Sequence, residues 1–172
     1  IDGDGDFDAF VGKIGSSGNL VFFQNTGTAN SPAFAVADPF GLDGGGYNTN
    51  PTFFDIDNDG ELDAFIGYQE WQSYSATAFY RNIGTVNNPL FYADNVGQFG
   101  LSESGNSSLS FIDIDADGDL DLVCTGRNAN AMSQTDWYAN DGNGLFTLMA
   151  SNLEDLRTSH VIAEDIDTDG DF

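Results

Sequence analysis

Basic side chains are scarce in this sequence: four lysines and arginines accompany 28 aspartates and glutamates among 172 residues, a formal net charge of −24. The four are Lys13, Arg81, Arg127 and Arg157. Binding to nucleic acid or to anionic lipid depends on clustered Lys and Arg, so both kinds of partner are excluded. Something else must neutralise the carboxylates, and divalent cations are the obvious candidates.

Cysteine and long apolar runs are also lacking. Cys124 is the only cysteine, so no disulfide forms within the chain. It aligns with the apolar residues Val11 and Ile66 of the repeat described below, so its side chain is predicted to be buried at a small apolar position.

No apolar run reaches the roughly eighteen residues of a membrane span. His160 is the only histidine and no motif places a nucleophile beside it, so no catalytic residue is predicted.

Four aspartate-rich segments line up without gaps along the chain. Their equivalent residues Asp2, Asp57, Asp115 and Asp167 recur at intervals of 55, 58 and 52 positions, and a fixed period of this kind marks stacked supersecondary units. The first segment lacks its opening Asp and the last lacks its closing one, which predicts about three units of a longer array. The segments span residues 1–8, 55–63, 113–121 and 165–172.

Each period carries the short apolar runs of β-strands. β-Branched and aromatic residues bounded by Gly, Asn and Pro are typical of strands, and no stretch keeps a helical period over three turns. Around the second segment the runs are residues 52–54, 64–66, 78–82 and 90–92. Four strands per period predict an all-β fold of four-stranded antiparallel propeller blades, about three blades of a larger propeller. The approximate repeats are 1–54, 55–112 and 113–164, with a further one starting at 165–172.

The complete segments place Asp at positions 1, 3, 5 and 9 and Gly at position 6. Alternate aspartates in a tight loop turn their carboxylates inward, which suits Ca²⁺ because this hard cation takes about 6–8 oxygen ligands. Gly60 and Gly118 permit the positive φ that folds the loop back. Without a cation, like charges about 4 Å apart repel by about 4 kcal/mol at an effective dielectric near 20. Calcium is therefore expected to be part of folding.

Two other interpretations of the segments are weaker. Asp and Gly dominate metal-free turns in general, but four copies in register, with apolar residues at positions 2 and 8, argue against simple acidic turns. An EF-hand requires Glu at position 12 and flanking helices. Position 12 here is Ile66 or Cys124, inside a predicted strand, so the EF-hand is excluded.

The D-x-D-x-D-G-x-x-D loop between two strands, followed by Asn-Thr-Gly-Thr and by Asn/Ser-Pro-x-Phe, resembles the FG-GAP/VCBS-type repeat. Relatives of that type include the calcium-binding blades of integrin α-chain propellers and many bacterial surface proteins. The resemblance covers essentially the whole chain and implies that the loop joins the first two strands of a blade. The third repeat departs from it, with a shorter turn at residues 140–144 and no Pro-x-Phe.

The resemblance also implies the metal ligands: two complete calcium sites and up to two partial end sites. In the complete loops, position 7 would offer its backbone carbonyl and position 9 would close the site with both oxygens. The complete loops supply Asp55, Asp57, Asp59, Glu61 and Asp63, and then Asp113, Asp115, Asp117, Asp119 and Asp121. The end loops supply Asp2, Asp4, Asp6 and Asp8, and then Asp165, Asp167, Asp169 and Asp171.

Residues outside the loops give further expectations. Trp71 and Tyr74 lie in an insertion and are candidate contacts for a sugar or a peptide, with packing on a neighbouring blade as the alternative. Asn106 begins a glycosylation sequon. Residues 41–46 are rich in glycine and are expected to be a flexible connection. The residues that end the third run of each repeat are predicted to cap turns; they are Asn25, Asn82 and Asn140.

Three functions fit these features. The first is a calcium-binding, non-enzymatic adhesion or structural module, extracellular or on the cell surface, whose blade loops meet a protein or glycan partner. The second is a carbohydrate-binding propeller accessory to a secreted hydrolase. The third, an enzyme whose active site crosses the propeller, finds no acid–base pair or nucleophile motif in the sequence. Because blade edges pair readily, the blades are also expected to associate with further blades of the same chain or of other copies.

Overall fold

The computed structural model describes residues 3–13, 20–69, 75–94, 96–101, 108–127, 130, 132–149 and 153–155. Strands joined by turns account for nearly all the regular structure in these residues, and η1 is a short 3₁₀ helix. In chain order the elements are β1 (Ala9–Gly12), β2 (Leu20–Asn25), β3 (Phe34–Ala37), β4 (Tyr47–Phe54), β5 (Asp63–Gln69), β6 (Ser75–Asn82), β7 (Phe91–Asp94), η1 (Val96–Phe99), β8 (Ser108–Ile112), β9 (Asp121–Arg127), β10 (Ser133–Asn140) and β11 (Phe146–Met149).

The strands form three antiparallel sheets in which each strand pairs with the next in sequence. Their orders are β1-β2-β3, β4-β5-β6-β7 and β8-β9-β10-β11. The expected all-β fold with four-stranded antiparallel blades is confirmed. Each complete aspartate loop joins the first two strands of its sheet, where Phe54 pairs with Asp63 and Ile112 pairs with Asp121. The sheets therefore start one strand before the loops at which the repeats were divided.

Two apolar cores lie between neighbouring sheets, and β5 contributes to both. Ala64 and Ile66 pack with Leu20 of the first sheet, whereas Phe65 packs with Leu122 of the third. Successive side chains of a strand point to opposite faces, so a strand covered on both sides reads as a continuous apolar run. All three β5 residues are fully inaccessible to solvent.

The described parts of the connections between sheets contribute side chains to these cores. Leu42 is buried in the first core, and its counterpart Leu101 is buried in the second. The expectation of a flexible connection at residues 41–46 is therefore corrected. Both leucines belong to a Phe-Gly-Leu sequence, at residues 40–42 and 99–101. Its glycine has a positive φ and lies against a neighbouring backbone: a Cβ on Gly100 would be 2.4 Å from the carbonyl oxygen of Phe146.

Cys124 occupies the buried slot that its alignment predicts. Its side chain is 1% exposed and belongs to the core between the second and third sheets. The thiol donates a hydrogen bond to the carbonyl oxygen of Asp136 at 3.6 Å. Burial raises the pKa of the Cys124 thiol, which keeps it protonated and makes it a poor nucleophile.

The asparagines that end β2, β6 and β10 cap turns, as predicted. Oδ1 of Asn82 accepts the backbone N–H groups of Gly84 at 3.0 Å and Leu90 at 3.1 Å, holding together the two ends of the turn between β6 and β7. Asn25 makes the equivalent pair of bonds in the first sheet. In the shorter third turn, Asn140 accepts the N–H of Gly142, and the carboxylate of Asp141 accepts the N–H groups of Asn143 and Leu145.

Replacing Asn82 with alanine tests this capping. Two backbone N–H groups lose their acceptor next to a buried side chain, so we expect Asn82→Ala to lower the free energy of unfolding by about 1–3 kcal/mol. The measurement is urea denaturation followed by circular dichroism. The control is Asn30→Ala, at the exposed tip of the equivalent turn of the first sheet, which should change stability by less than about 0.5 kcal/mol. Equal losses for the two variants would contradict the capping role.

Candidate metal centre

Each complete aspartate loop is folded back on itself by two residues in the left-handed region. Gly60 and Gly118, at position 6, have φ of 92° and 101°, as the sequence predicts. Position 4 is also left-handed: Asn58 and Ala116 both have φ of 59°. Alanine in this region is strained, because its Cβ crowds the backbone. This left-handed residue at position 4 was not predicted from the sequence, although Gly3 occupies the position in the first loop with φ of 74°.

The carboxylate at position 1 closes the loop from inside. Oδ1 of Asp55 accepts the N–H of Asp59 at 3.1 Å, and its Oδ2 accepts the N–H of Gly60 at 2.8 Å. Asp59 in turn accepts the N–H of Glu61 at 2.8 Å. In these bonds the backbone N–H groups of the loop donate to aspartate carboxylates of the same loop. The bonds therefore fix the orientation of the carboxylates.

The third loop repeats this pattern residue by residue. Asp113 accepts the N–H groups of Asp117 at 3.1 Å and Gly118 at 3.0 Å. Asp117 accepts the N–H of Asp119 at 3.0 Å. Two separate loops with the same nine-residue spacing thus adopt one hydrogen-bonded conformation.

The aspartate at position 9 is buried and joins the loop to the third strand of its sheet. Asp63 is 2% exposed; its carboxylate accepts the N–H of Asn82 at 2.7 Å and that of Ile56 at 3.4 Å. Asp121 accepts the N–H groups of Asn140 at 2.8 Å and Ile114 at 2.9 Å. Each of these oxygens keeps a further lone pair for a cation.

Three carboxylates converge in each of these loops. One oxygen from each of Asp55, Asp57 and Asp59 lies within 4.8 Å of the others, and the same holds for Asp113, Asp115 and Asp117. Partial desolvation and then the charges of Asp117 and Asp121 raise the pKa of Asp115. The repulsion between neighbouring carboxylates contributes to this rise in pKa, and a bound cation removes that repulsion.

The remaining donors fit a hard cation. Oε2 of Glu61 is shielded from solvent and has no hydrogen-bond donor among the described residues. A buried oxygen without a partner is unfavourable, and a bound cation would supply one. Asp119 at the same position points elsewhere: a Cβ on Gly142 would be 2.4 Å from its Oδ2, so the Asp119 side chain lies over the turn after β10. An all-oxygen donor set suits Ca²⁺ or Mg²⁺ rather than a transition metal.

The end loops are only partly within the described residues. In the first loop, Asp4 accepts the N–H of Asp6 at 3.1 Å, and Asp8 accepts the N–H of Asn25 at 2.8 Å. These bonds match those of the complete loops at positions 5 and 9. The other predicted site residues lie outside the described residues, as do His160 and Asn106. They are Asp2, Asp165, Asp167, Asp169, Asp171, Trp71 and Tyr74.

Comparison with known families places this chain. The model of the FG-GAP-like repeat family matches residues 1–66 and 113–172, which is more than half of the sequence and includes both complete loops. The chain therefore belongs to the FG-GAP-like repeat family. It has no match among curated proteins and none among solved structures. Among the described residues, no helix has the length and apolar character needed to cross a bilayer.

The strain at position 4 gives a stability prediction. Glycine relieves the left-handed conformation at Ala116, and after allowing for its greater freedom in the unfolded chain we expect Ala116→Gly to raise the free energy of unfolding by about 0.5–1 kcal/mol. The control, Ala93→Gly at an exposed position of β7, should lower it by about 0.5–1 kcal/mol. Urea denaturation without added metal measures both. A loss of stability in Ala116→Gly would contradict the strain.

Asp63 gives a pH prediction for the metal-free chain. Burial raises the pKa of Asp63 to about 6 from its ordinary 3.8, the N–H of Asn82 opposes this, and the charge of Asp57 adds to it. Because the folded state then binds the proton more tightly than the unfolded state, Asp63 contributes stability below about pH 4 that is lost as pH rises through about 6.

The measurement is urea denaturation of metal-free protein at pH 5 and pH 7. Other carboxylates also respond to pH, so the quantity to compare is the difference between wild type and Asp63→Asn. The amide does not titrate, and we expect the variant to gain less stability than wild type on going from pH 7 to pH 5. Equal gains for the two proteins would show that Asp63 has an ordinary pKa.

Proposed function

We propose that this chain is a calcium-binding, non-enzymatic repeat module that serves in adhesion or as a structural element outside the cell. The observation that carries the proposal is the pair of aspartate triads with matching hydrogen bonds in adjacent sheets. Family membership gives the repeat architecture; the calcium, the location and the adhesive role are inferred from chemistry and from what is typical of such repeats.

Calcium is favoured over magnesium by the form of each site. Each loop has aspartates at positions 1, 3, 5 and 9 and further oxygens at position 7, more donors than the small, near-octahedral Mg²⁺ usually takes from protein. Asp55, Asp57, Asp59 and Asp63 would hold one ion with help from Glu61. Asp113, Asp115, Asp117 and Asp121 would hold the other, with the backbone carbonyl of Asp119.

The bound ion would act as a structural cross-link. In the second sheet Asp63 joins the loop to the backbone of Asn82, and the Asn82 side chain holds the following turn. An ion that orders the loop therefore also stabilises β5, β6 and the turn beyond. Binding to the folded state alone adds to stability by mass action.

A structural role agrees with the chemistry of the described residues. The buried thiol of Cys124 has a raised pKa, and the clustered carboxylates are accounted for as cation ligands. FG-GAP-like repeats are in general non-enzymatic and typically extracellular. The calcium concentration outside cells suits modest sites of this kind, with dissociation constants of about 10⁻⁴–10⁻³ M.

Calcium removal and single-ligand variants test the proposal. Chelation should lower the melting temperature by several degrees, because about 1 kcal/mol corresponds to about 2–4 °C for a chain of this size. By isothermal titration calorimetry, Asp59→Ala and Asp117→Ala should each remove one of two calcium equivalents. The control is Asp43→Ala, an exposed carboxylate outside the loops, which should leave both. An unchanged melting temperature with chelator, together with no calcium uptake, would refute the proposal.

A further inference from the structure

Arg81 lies against the second aspartate loop. Its Nη1 forms a hydrogen-bonded ion pair with Oδ2 of Asp57, the carboxylate at position 3. Its Nε lies 3.5 Å from Oδ2 of Asp94, near the end of β7. The side chain is 28% exposed, so water screens these interactions only in part.

The guanidinium is held in place from two further directions. It lies 5.8 Å from the ring centre of Phe79, a distance at which a cation is attracted to an aromatic face. The backbone of Arg81 pairs with Tyr92 in the ladder between β6 and β7, one residue before the loop-linked Asn82. Strand pairing and packing thus fix the positive charge beside one ligand position of the second loop.

The third sheet has no basic residue at the strand position equivalent to Arg81. The residue one before Asn140 is Ala139, and the residue at the place of Asp94 is Met149. In the first sheet the corresponding residue is Gln24. Two loops with aspartates at the same positions 1, 3, 5 and 9 therefore differ in local charge, because the Arg81 guanidinium pairs with the second.

We propose that Arg81 is a built-in counter-cation of the second loop, which makes that loop less dependent on calcium and a weaker calcium site than the third. This inference rests on the proposed calcium binding. A Ca²⁺ ion entering the second loop meets a carboxylate already paired with Arg81 and a positive charge close by. In the third loop the strand position equivalent to Arg81 holds Ala139, so the equivalent carboxylates attract the ion more strongly.

The effect is measured one loop at a time. In an Asp117→Ala background, only the second of the two complete loops is intact. There we expect Arg81→Gln to tighten the calcium affinity of the second loop by about three- to tenfold, because the variant removes a partly exposed ion pair and a nearby positive charge. Glutamine is the residue of the first sheet at this position. Arg81→Lys keeps the charge and should stay closer to wild type. In an Asp59→Ala background, Arg81→Gln should leave the third loop unchanged, and Ala139→Arg should weaken it.

The outcomes separate this inference from the proposal beneath it. Tighter binding in Arg81→Gln, with the lysine variant near wild type, supports the counter-cation. Unchanged or weaker binding in Arg81→Gln overturns it while calcium binding stands. Absence of calcium uptake by both backgrounds, each shown to be folded by circular dichroism, overturns the calcium proposal itself and this inference with it.

Discussion

Repulsion among the carboxylates of the aspartate loops is the constraint around which this structure is arranged. Three carboxylate oxygens lie within 4.8 Å of one another in each complete loop, at a separation where like charges cost several kcal/mol in a partly shielded setting. Backbone N–H groups offset part of this cost, since Asp55 and Asp113 each accept two of them. What remains calls for a cation, and a chain with four basic residues supplies few of its own.

The conformation of each loop affects the whole fold, because the aspartate at position 9 connects the loop to the strands of its sheet. Asp63 is buried at the start of β5, and β5 is the strand that serves both apolar cores. Through its bond to Asn82 the same carboxylate reaches the turn between β6 and β7. Order in the loop is therefore coupled to strand pairing and to the packing of neighbouring sheets, which is the coupling expected of a metal that acts in folding.

The sequence predicts the features that depend on local pattern. The described strands lie where apolar runs flank the aspartate segments, the glycines at position 6 are left-handed, and Asn25, Asn82 and Asn140 cap turns. The features it did not predict depend on contacts far along the chain. Leu42 and Leu101 are buried because a neighbouring sheet covers them, and a glycine-rich stretch gives no sign of that cover. The pairing of Arg81 with Asp57 joins residues 24 positions apart and follows only from the sheet register.

Loops with the same aspartates can differ in their electrostatic surroundings, because each repeat varies the residues around its loop. In the second sheet the residue just before the capping asparagine, Arg81, lies against a carboxylate of the aspartate loop. That position holds Gln24, Arg81 and Ala139 in the three sheets, a neutral amide, a cation and a methyl group. A substitution there changes the charge next to the loop without disturbing the aspartates, the glycine or the cap. The repeat thus leaves one half-buried strand position whose charge varies between sheets independently of the loop ligands.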